Sequence, residues 1–525
     1  MIHKKTLVII ILIVIFGFVL RIPYFLHVMQ DADEGEYAAV AASLMNGGLP
    51  YADAALIKPP AISYIYLATF SLFGKYNMTA VHMVGFLCTL CTAVVLSILA
   101  NKLGGRKSAL FALLFYLTFT AALYPKMIAA NTEIFMALPY SLAVLLLWNA
   151  VNKEKDWLYF VAGFVSGLSP LFKQVGGIEI IAVFAYFLIT IPLLFGKKRI
   201  IPSLAVCLNY GLGFVLPTIV VALLFYRKGI LSDFIFWTIT YPGRYVSSGA
   251  AGRGFLSQIL EEFIPFILAT TILWILAFFW MKRAVADFRF QKNRLESPFS
   301  IFLVIWFVAS VGVTFLGKRM YGHYFIQAIP ALSLMAALFA GKLLDESSVR
   351  RKRIWRTAIV ALTLAPGIVF AAMAVSFEAV TDTWGEVSPD FRPAARYIEE
   401  HTRVEDKIFV WGYFTPLYVY SHRTPSTRFN YTIMHTGYIK GDGPGEKDRA
   451  DINWLAAPEV WPMLEKDLKN DPPELIIDTS PGDYHFYGRY PMRNYPLMRE
   501  YVEKNCVFEK SIAGVDIYRC KIAQK

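Results

Sequence analysis

Along the first 375 residues the hydrophobic positions fall in continuous blocks, at about 5–25, 79–100, 108–124, 133–151, 157–172, 175–195, 201–226, 261–281, 298–317, 324–341 and 354–375. Each block approaches the ~20 residues that carry a helix across the hydrocarbon of a bilayer, so the pattern predicts about eleven transmembrane helices. The stretch 60–73 is apolar but short, and is left open as a helix lying against the membrane. After residue 375 the blocks give way to short alternations. Pro393 to His401 predicts an amphipathic helix, Lys407-Ile408-Phe409-Val410-Trp411 a strand and Val460 to Leu468 a second helix. Leu475-Ile476-Ile477, ending at Asp478, predicts a buried strand, and Phe508 to Ile517 a terminal hairpin turning at Gly514. Strands alternating with helices predict a small α/β domain. Lys440 to Gly445 is read as a loop.

The polar connections between blocks orient the chain. His3-Lys4-Lys5, Lys102 to Lys107, Lys153-Glu154-Lys155, Lys197-Lys198-Arg199, Lys282 to Arg294 and Arg350-Arg351-Lys352-Arg353 alternate with connections poor in basic residues. Placing the basic ones in the cytoplasm satisfies the positive-inside rule. An odd number of spans then puts the N-terminus inside and the tail outside. The first block imitates a secretory signal but lacks a small-residue cleavage site before Arg21-Ile22-Pro23, so it is read as an uncleaved span. The expected organisation is a transmembrane domain over 1–375, whose outer loop 26–78 carries an acidic motif, and an extracytoplasmic α/β domain over 376–525.

Composition agrees with this division. Hydrophobic residues make up 56% of the 525 and charged residues 17%, against roughly 25% charge in soluble domains; mean hydropathy is +0.48. Before residue 376 there are 32 basic and 16 acidic residues, and after it 19 and 23. The net +12 is therefore a topological signal, and a nucleic-acid partner is excluded. Cys506 and Cys520 flank the terminal hairpin in a compartment that permits disulfides. No Cys/His spacing of the metal-binding kind occurs.

Most acidic residues of the membrane region fall in cytoplasmic loops, but Asp31-Ala32-Asp33-Glu34-Gly35-Glu36-Tyr37 crowds four of them into the first outer loop. Acids favour a helix N-terminus, and Tyr37 to Met45 continues at helical spacing. The loop returns to the membrane through Lys58-Pro59-Pro60, whose prolines hold Lys58 outside a helix. Glu133, Lys173 and Lys318-Arg319, with His323-Tyr324, are expected at the same outer face. Ionisable groups at membrane depth are functional candidates by default. The structural alternatives are a solvated helix cap for the acidic motif, snorkelling for Lys173, a helix-end anchor for Lys318 and Arg319, and interfacial packing for His323. Glu179, inside a span, is expected to be a buried partner of a basic residue. Tyr241 to Gly254, rich in Gly and Ser, reads as a flexible outer loop whose Arg244 and Arg253 close over a phosphate or meet lipid headgroups.

Carboxylates and cations at an outer membrane face suit transfer from a lipid-linked sugar phosphate. The lipid tail lies in the bilayer and Lys or Arg holds the phosphate. The leaving phosphate is already a stable anion, so one carboxylate base and several cations suffice. The chain resembles the membrane glycosyltransferases of the GT-C fold, family 39/83-like, the group of protein O-mannosyltransferases and of aminoarabinose and galacturonic acid lipid A transferases. The resemblance spans most of 1–345 through Leu20-Arg21, Asp33-Glu34 with Tyr37-Ala38, Lys58-Pro59-Pro60, Asn131-Thr132-Glu133, Gly167 to Lys173, and His323-Tyr324 to Pro330.

The resemblance implies an α-helical polytopic membrane protein of the plasma (inner) membrane. Its activity would be an inverting transfer from a polyprenyl-phosphate sugar to a hydroxyl of a lipid, glycan or protein acceptor. It implies Asp33 as the base with Glu34 beside it, Glu133 as a second acid, and Lys58 and Lys173 on the lipid phosphate. Tyr37, Arg244, Arg253, Lys318, Arg319, His323 and Tyr324 complete the expected substrate contacts. No cofactor is called for, and a divalent metal is left open. Ile57 stands where aminoarabinose transferases commonly carry Glu, and no β-rich luminal domain interrupts the chain, so sugar and acceptor stay open. The competing class is a polytopic transporter or channel whose acidic loop collects cations; the soluble tail and the lack of internal repeats speak against it.

Overall fold

The computed structural model describes residues 4–29, 31–122, 127–153, 155–248, 255–290, 296–316, 320–376, 389–437 and 456–520. They form two compact units. The first contains residues 1–26, 82–224 and 258–376; the second contains 27–81, 225–257 and 377–525.

The first unit is helical. Among the described residues of the whole chain, six helices are long and apolar enough to cross a membrane: Met78–Phe119, Thr132–Lys153, Gln174–Phe195, Lys197–Arg227, Gly322–Glu346 and Val349–Val375. A seventh is counted when Phe255–Ala269 and Thr271–Ala284, which meet at 78°, are taken as one broken span. Lys4–Val19 and Phe299–Thr314 are shorter apolar helices.

The 42-residue helix Met78–Phe119 breaks at Gly105, whose φ of 78° lies in the left-handed region that glycine tolerates. The Ser97 hydroxyl donates to the Ala109 carbonyl at 2.9 Å, although a straight helix would separate these residues by about 18 Å. The chain therefore doubles back near the Lys102–Lys107 connection, and the stretches 78–104 and 106–119, overlapping the first two apolar blocks after the outer loop, are the two arms of a helical hairpin. Thr132–Lys153 and Gly322–Glu346 form the interior of the unit, and the Tyr140 hydroxyl donates to the Gln327 carbonyl at 3.1 Å. Arg21, buried at the end of the first helix, donates to the carbonyls of Gly17 and Leu117 and to the Thr120 hydroxyl. These polar partners, with the Phe86 ring 5.3 Å from the guanidinium, answer the cost of burying a charge.

The second unit is α/β. Its sheet has the order β2-β1-β3-β5-β4, where β1 is Lys407–Trp411, β2 Thr424–Pro425, β3 Leu475–Asp478, β4 Cys506–Ile512 and β5 Val515–Cys520. β1 runs parallel to β2 and β3, while β5 is antiparallel to β3 and closes a hairpin with β4. β1 and β3 are unbroken apolar runs and almost wholly buried, as central parallel strands require. β4 is a largely exposed edge strand carrying Glu509 and Lys510, charges that discourage pairing with another chain. Cys506 and Cys520 are disulfide-bonded across the β4–β5 pair. Lys440 to Gly445 lies outside the described residues.

The acidic outer loop belongs to this second unit. Its helix Ala32–Met45 buries Tyr37 to Ser43 almost completely. Gly35 approaches the Thr415 hydroxyl so closely that a Cβ would stand 2.4 Å from it. The Thr415 hydroxyl in turn donates to the Ala32 carbonyl at 3.2 Å. Further along, Ala55 N–H donates to the Arg428 carbonyl at 2.9 Å and the Tyr76 hydroxyl to the Arg423 carbonyl at 2.8 Å. The stretch left open at 60–73 is a 13-residue helix, Ala61–Phe73. It buries Ile62, Tyr66 and Phe70 and exposes Leu72 and Phe73.

Candidate active site

Asp31 caps the helix Ala32–Met45, its carboxylate accepting from Asp33 N–H. The cap presents Asp33 in the first turn, where the helix dipole favours a negative charge. Lys58, released from helical structure by the prolines after it, places Nζ 3.7 Å from Asp33 Oδ2; the two side chains are 12% and 18% exposed. The Tyr37 hydroxyl, one turn along, donates to the same Asp33 oxygen at 3.3 Å. The Lys58 carbonyl is held by the Tyr51 hydroxyl at 3.1 Å. Tyr37 packs edge-on against Tyr66, with ring centroids 5.6 Å apart. Glu34 is fully buried on the same helix. Asp33, Lys58 and Tyr37 therefore come together in the second unit.

The composition of the motif alone does not assign a role to Glu36, which is buried and accepts a 2.6 Å hydrogen bond from the Tyr431 hydroxyl. Asn430 Nδ2 donates to the Glu36 carbonyl at 3.3 Å. Burial and the neighbouring Asp33 push the Glu36 carboxyl up to about 7, against the pull of Lys58 and the Tyr431 hydrogen bond. Its spacing from Asp33, three residues on one helix, is the signal that puts both acids on one face. Tyr431 lies almost 400 residues away in sequence and carries no such signal.

A second cluster forms in the first unit. Glu133, in the first turn of Thr132–Lys153, is salt-bridged to Lys173, and both are buried. Thr132 Oγ1 donates to the other Glu133 oxygen at 2.9 Å, and His323 Nε2 stands 4.0 Å from Glu133 Oε1. Lys173 Nζ lies 3.4 Å from the centre of the Tyr324 ring, a cation–π contact. The Lys173 side chain is thus held in the interior by an acid and an aromatic face and does not snorkel to an interface. Its direction follows from its extended backbone at the junction of two short helical turns, Ser169–Leu171 and Gln174–Ile178.

Two sequence expectations are corrected. Among the described residues Glu179 meets no basic side chain; the Trp306 indole donates to it at 3.2 Å. Tyr241 to Ser248 is a helix, not a flexible loop. It continues Leu231–Ile235 through a widened turn, Phe236–Thr240, and that turn accommodates Pro242, which lacks an N–H and would crowd a regular preceding turn. Arg244 sits on this helix and pairs with Glu459 at 2.5 Å, both about one-third exposed. Arg253, Lys318 and Arg319 lie outside the described residues. Among the described residues, no three His, Cys, Asp or Glu side chains converge as a metal site would require.

The helices and the C-terminal sheet define a class, a polytopic membrane protein with the GT-C glycosyltransferase fold. Over 98% of each chain it superposes on ArnT from Cupriavidus metallidurans bound to undecaprenyl phosphate, with a TM-score of 0.60 and 15% identity. It also matches the oligosaccharyltransferase of Archaeoglobus fulgidus tethered to an acceptor peptide containing the NVT sequon, with a TM-score of 0.55 and 13% identity over 99% of this chain and 74% of that one. AglB from the same organism, in complex with an inhibitory peptide and a dolichol-phosphate, gives a TM-score of 0.53 and 13% identity over 98% and 74%. Residues 57–220 match the family model described as dolichyl-phosphate-mannose-protein mannosyltransferase. No curated protein sequence matches the chain significantly. The resemblance drawn from the ordered motifs is met by these matches, which support a membrane glycosyltransferase and do not favour a transporter.

Proposed function

We propose that the protein moves a sugar from a polyprenyl-phosphate donor to a hydroxyl of a lipid, glycan or protein acceptor, with inversion. Asp33 takes the proton of the acceptor hydroxyl as its oxygen attacks the anomeric carbon. The bond from that carbon to the phosphate oxygen breaks, and polyprenyl phosphate leaves as an anion. Lys58 holds the phosphate, a charge-assisted contact that strengthens as the leaving group gains charge. Lys173, salt-bridged to Glu133, is assigned to donor binding, and His323 and Tyr324 orient that lysine. Residues 1–375 carry the transferase machinery. The chain lies in the inner membrane with its N-terminus cytoplasmic and residues 376–525 extracytoplasmic, as the basic connections require.

The observation that carries this reading is the Asp33–Lys58 pair, a carboxylate and an ammonium 3.7 Å apart and still partly exposed. Partial exposure leaves the carboxylate open to an incoming hydroxyl, and the ammonium beside it is placed to meet a phosphate. The fold shared with ArnT, a protein seen bound to undecaprenyl phosphate, supports the donor class. The test is purified protein with a panel of polyprenyl-phosphate sugars and hydroxyl acceptors, scored by release of polyprenyl phosphate. Acceptor-dependent release with at least one donor is expected. No release with any donor, alongside substrate transport in vesicles, would favour the transporter.

A further inference from the structure

We propose that Glu36, braced by Tyr431, is a positioning residue that tunes how the Asp33–Lys58 pair receives an anionic donor; this rests on the roles proposed for those two residues. Glu36 stands one helical turn after Asp33 and is 3% exposed. The Tyr431 hydroxyl holds its carboxyl at 2.6 Å and Asn430 holds its backbone carbonyl. Asp33 and Lys58 act on the Glu36 carboxyl directly, with Asp31 and Glu34 in the same acidic motif. Ionising Glu36 adds one negative charge near Lys58 and opposes a phosphate there. Protonating Glu36 removes that charge, and Lys58 accepts the phosphate against less opposition.

The charged and titratable groups around Glu36 come from several elements. Asp33 acts from its own helix and Lys58 from the segment before Ala61–Phe73, with Tyr431 donating from the chain after β2. Tyr413, after β1, packs edge-on against Tyr431 at 5.4 Å, and Tyr241 also acts on that phenol. Behind Tyr413, His485 Nδ1 lies 2.6 Å from its carbonyl. Asp31 and Glu34 act on the Tyr66 phenol. Among these, the Glu36 carboxyl is pushed up to about 7, chiefly by burial, so its change in charge falls near neutral pH.

The experiment measures donor KM and kcat from about pH 5.5 to about pH 8.5, a span that brackets a carboxyl raised by burial. The proteins compared are wild type, Glu36→Gln, Tyr431→Phe and Asp33→Asn. In wild type, donor KM should rise roughly fivefold through neutrality, the order expected from one added unit charge in a partly wet site. Glu36→Gln should flatten that rise. Tyr431→Phe should move it to higher pH, because the lost hydrogen bond had favoured the ionised carboxyl. Should Glu36→Gln fail to fold, the Tyr431→Phe profile decides. Wild-type pH profiles in both brace variants, with Asp33→Asn inactive, would overturn the inference while leaving the function intact. Full turnover of Asp33→Asn would overturn the assignment beneath it, and the inference with it.

Discussion

The two acid–lysine pairs among the candidate site residues, Glu133–Lys173 and Asp33–Lys58, look alike in sequence and differ in physics. Glu133 and Lys173 are buried and in direct contact, with a hydroxyl on one side and an aromatic face on the other. Asp33 and Lys58 are farther apart, more exposed and met by a phenol. A closed pair is costly to open, because separating it strands a charge away from water. An open pair exchanges partners cheaply, which a base and a phosphate ligand must do. The difference assigns the closed pair to holding a fixed cation and the open pair to the chemistry.

The comparison breaks first at Asp33. Asp33→Asn keeps the shape and removes the proton acceptor, so transfer at matched protein level should fall by about 10²–10⁴-fold. Near-normal turnover in this variant, with Glu133→Gln inactive, would exchange the roles of the two pairs.

The closed pair should reveal itself in stability. Lys173→Met leaves Glu133 buried without its ammonium, a loss of about 3–5 kcal/mol. Adding Glu133→Gln should recover most of it, since replacing both ions of a buried pair is often near neutral. Thermal unfolding in detergent reads both changes. If the double variant is no more stable than Lys173→Met, the pair does not act as one unit.

Lys58→Met should be milder. A charge-assisted hydrogen bond is worth about 1.5–3 kcal/mol, so donor affinity should weaken roughly tenfold to a hundredfold with little change in melting temperature. Equal donor affinity would remove Lys58 from the phosphate.

A third kind of burial sharpens the contrast. His435 lies in the second unit among Phe429, Trp411 and Trp461, and among the described residues neither ring nitrogen has a hydrogen-bond partner. Burial drives it down to about 3 from an ordinary 6.5, so the folded state keeps the imidazole neutral. The stability tied to it is fully present above the unfolded value and is lost as pH falls toward the folded one. At pH 5 the loss is about 2 kcal/mol. His435→Phe should abolish this acid sensitivity, seen by tryptophan fluorescence; an unchanged acid profile would contradict it.

Much of this was legible in the chain itself. β1 and β3 follow from apolar runs, and the polytopic helical character follows from the apolar blocks, of which six or seven among the described residues form helices long enough to cross a membrane. Lys102 to Lys107 marked the turn that Ser97 and Ala109 close. Asp33, Lys58, Glu133 and Lys173 stood out because charge beside a membrane is rare. What was hidden depends on contacts between segments distant in sequence. Backbone bonds such as Ala55 to Arg428 group the acidic loop with the tail, and no hydrophobic period records them. Glu36 was visible but looked like solvated charge until Tyr431 covered it. The glycines and serines of Tyr241 to Gly254 read as a flexible loop, because local preference does not show the widened turn through which Tyr241–Ser248 continues the preceding helix.

The most direct test of the division between the pairs is donor affinity and single-turnover transfer, measured together on Asp33→Asn and Lys173→Met with one active polyprenyl-phosphate sugar. Asp33→Asn should bind donor about as wild type does and lose transfer. Lys173→Met should bind donor more weakly, and its remaining complex should still transfer. If Asp33→Asn loses donor binding while its bound donor turns over normally, or if both variants fail in the same step, the division of labour is wrong.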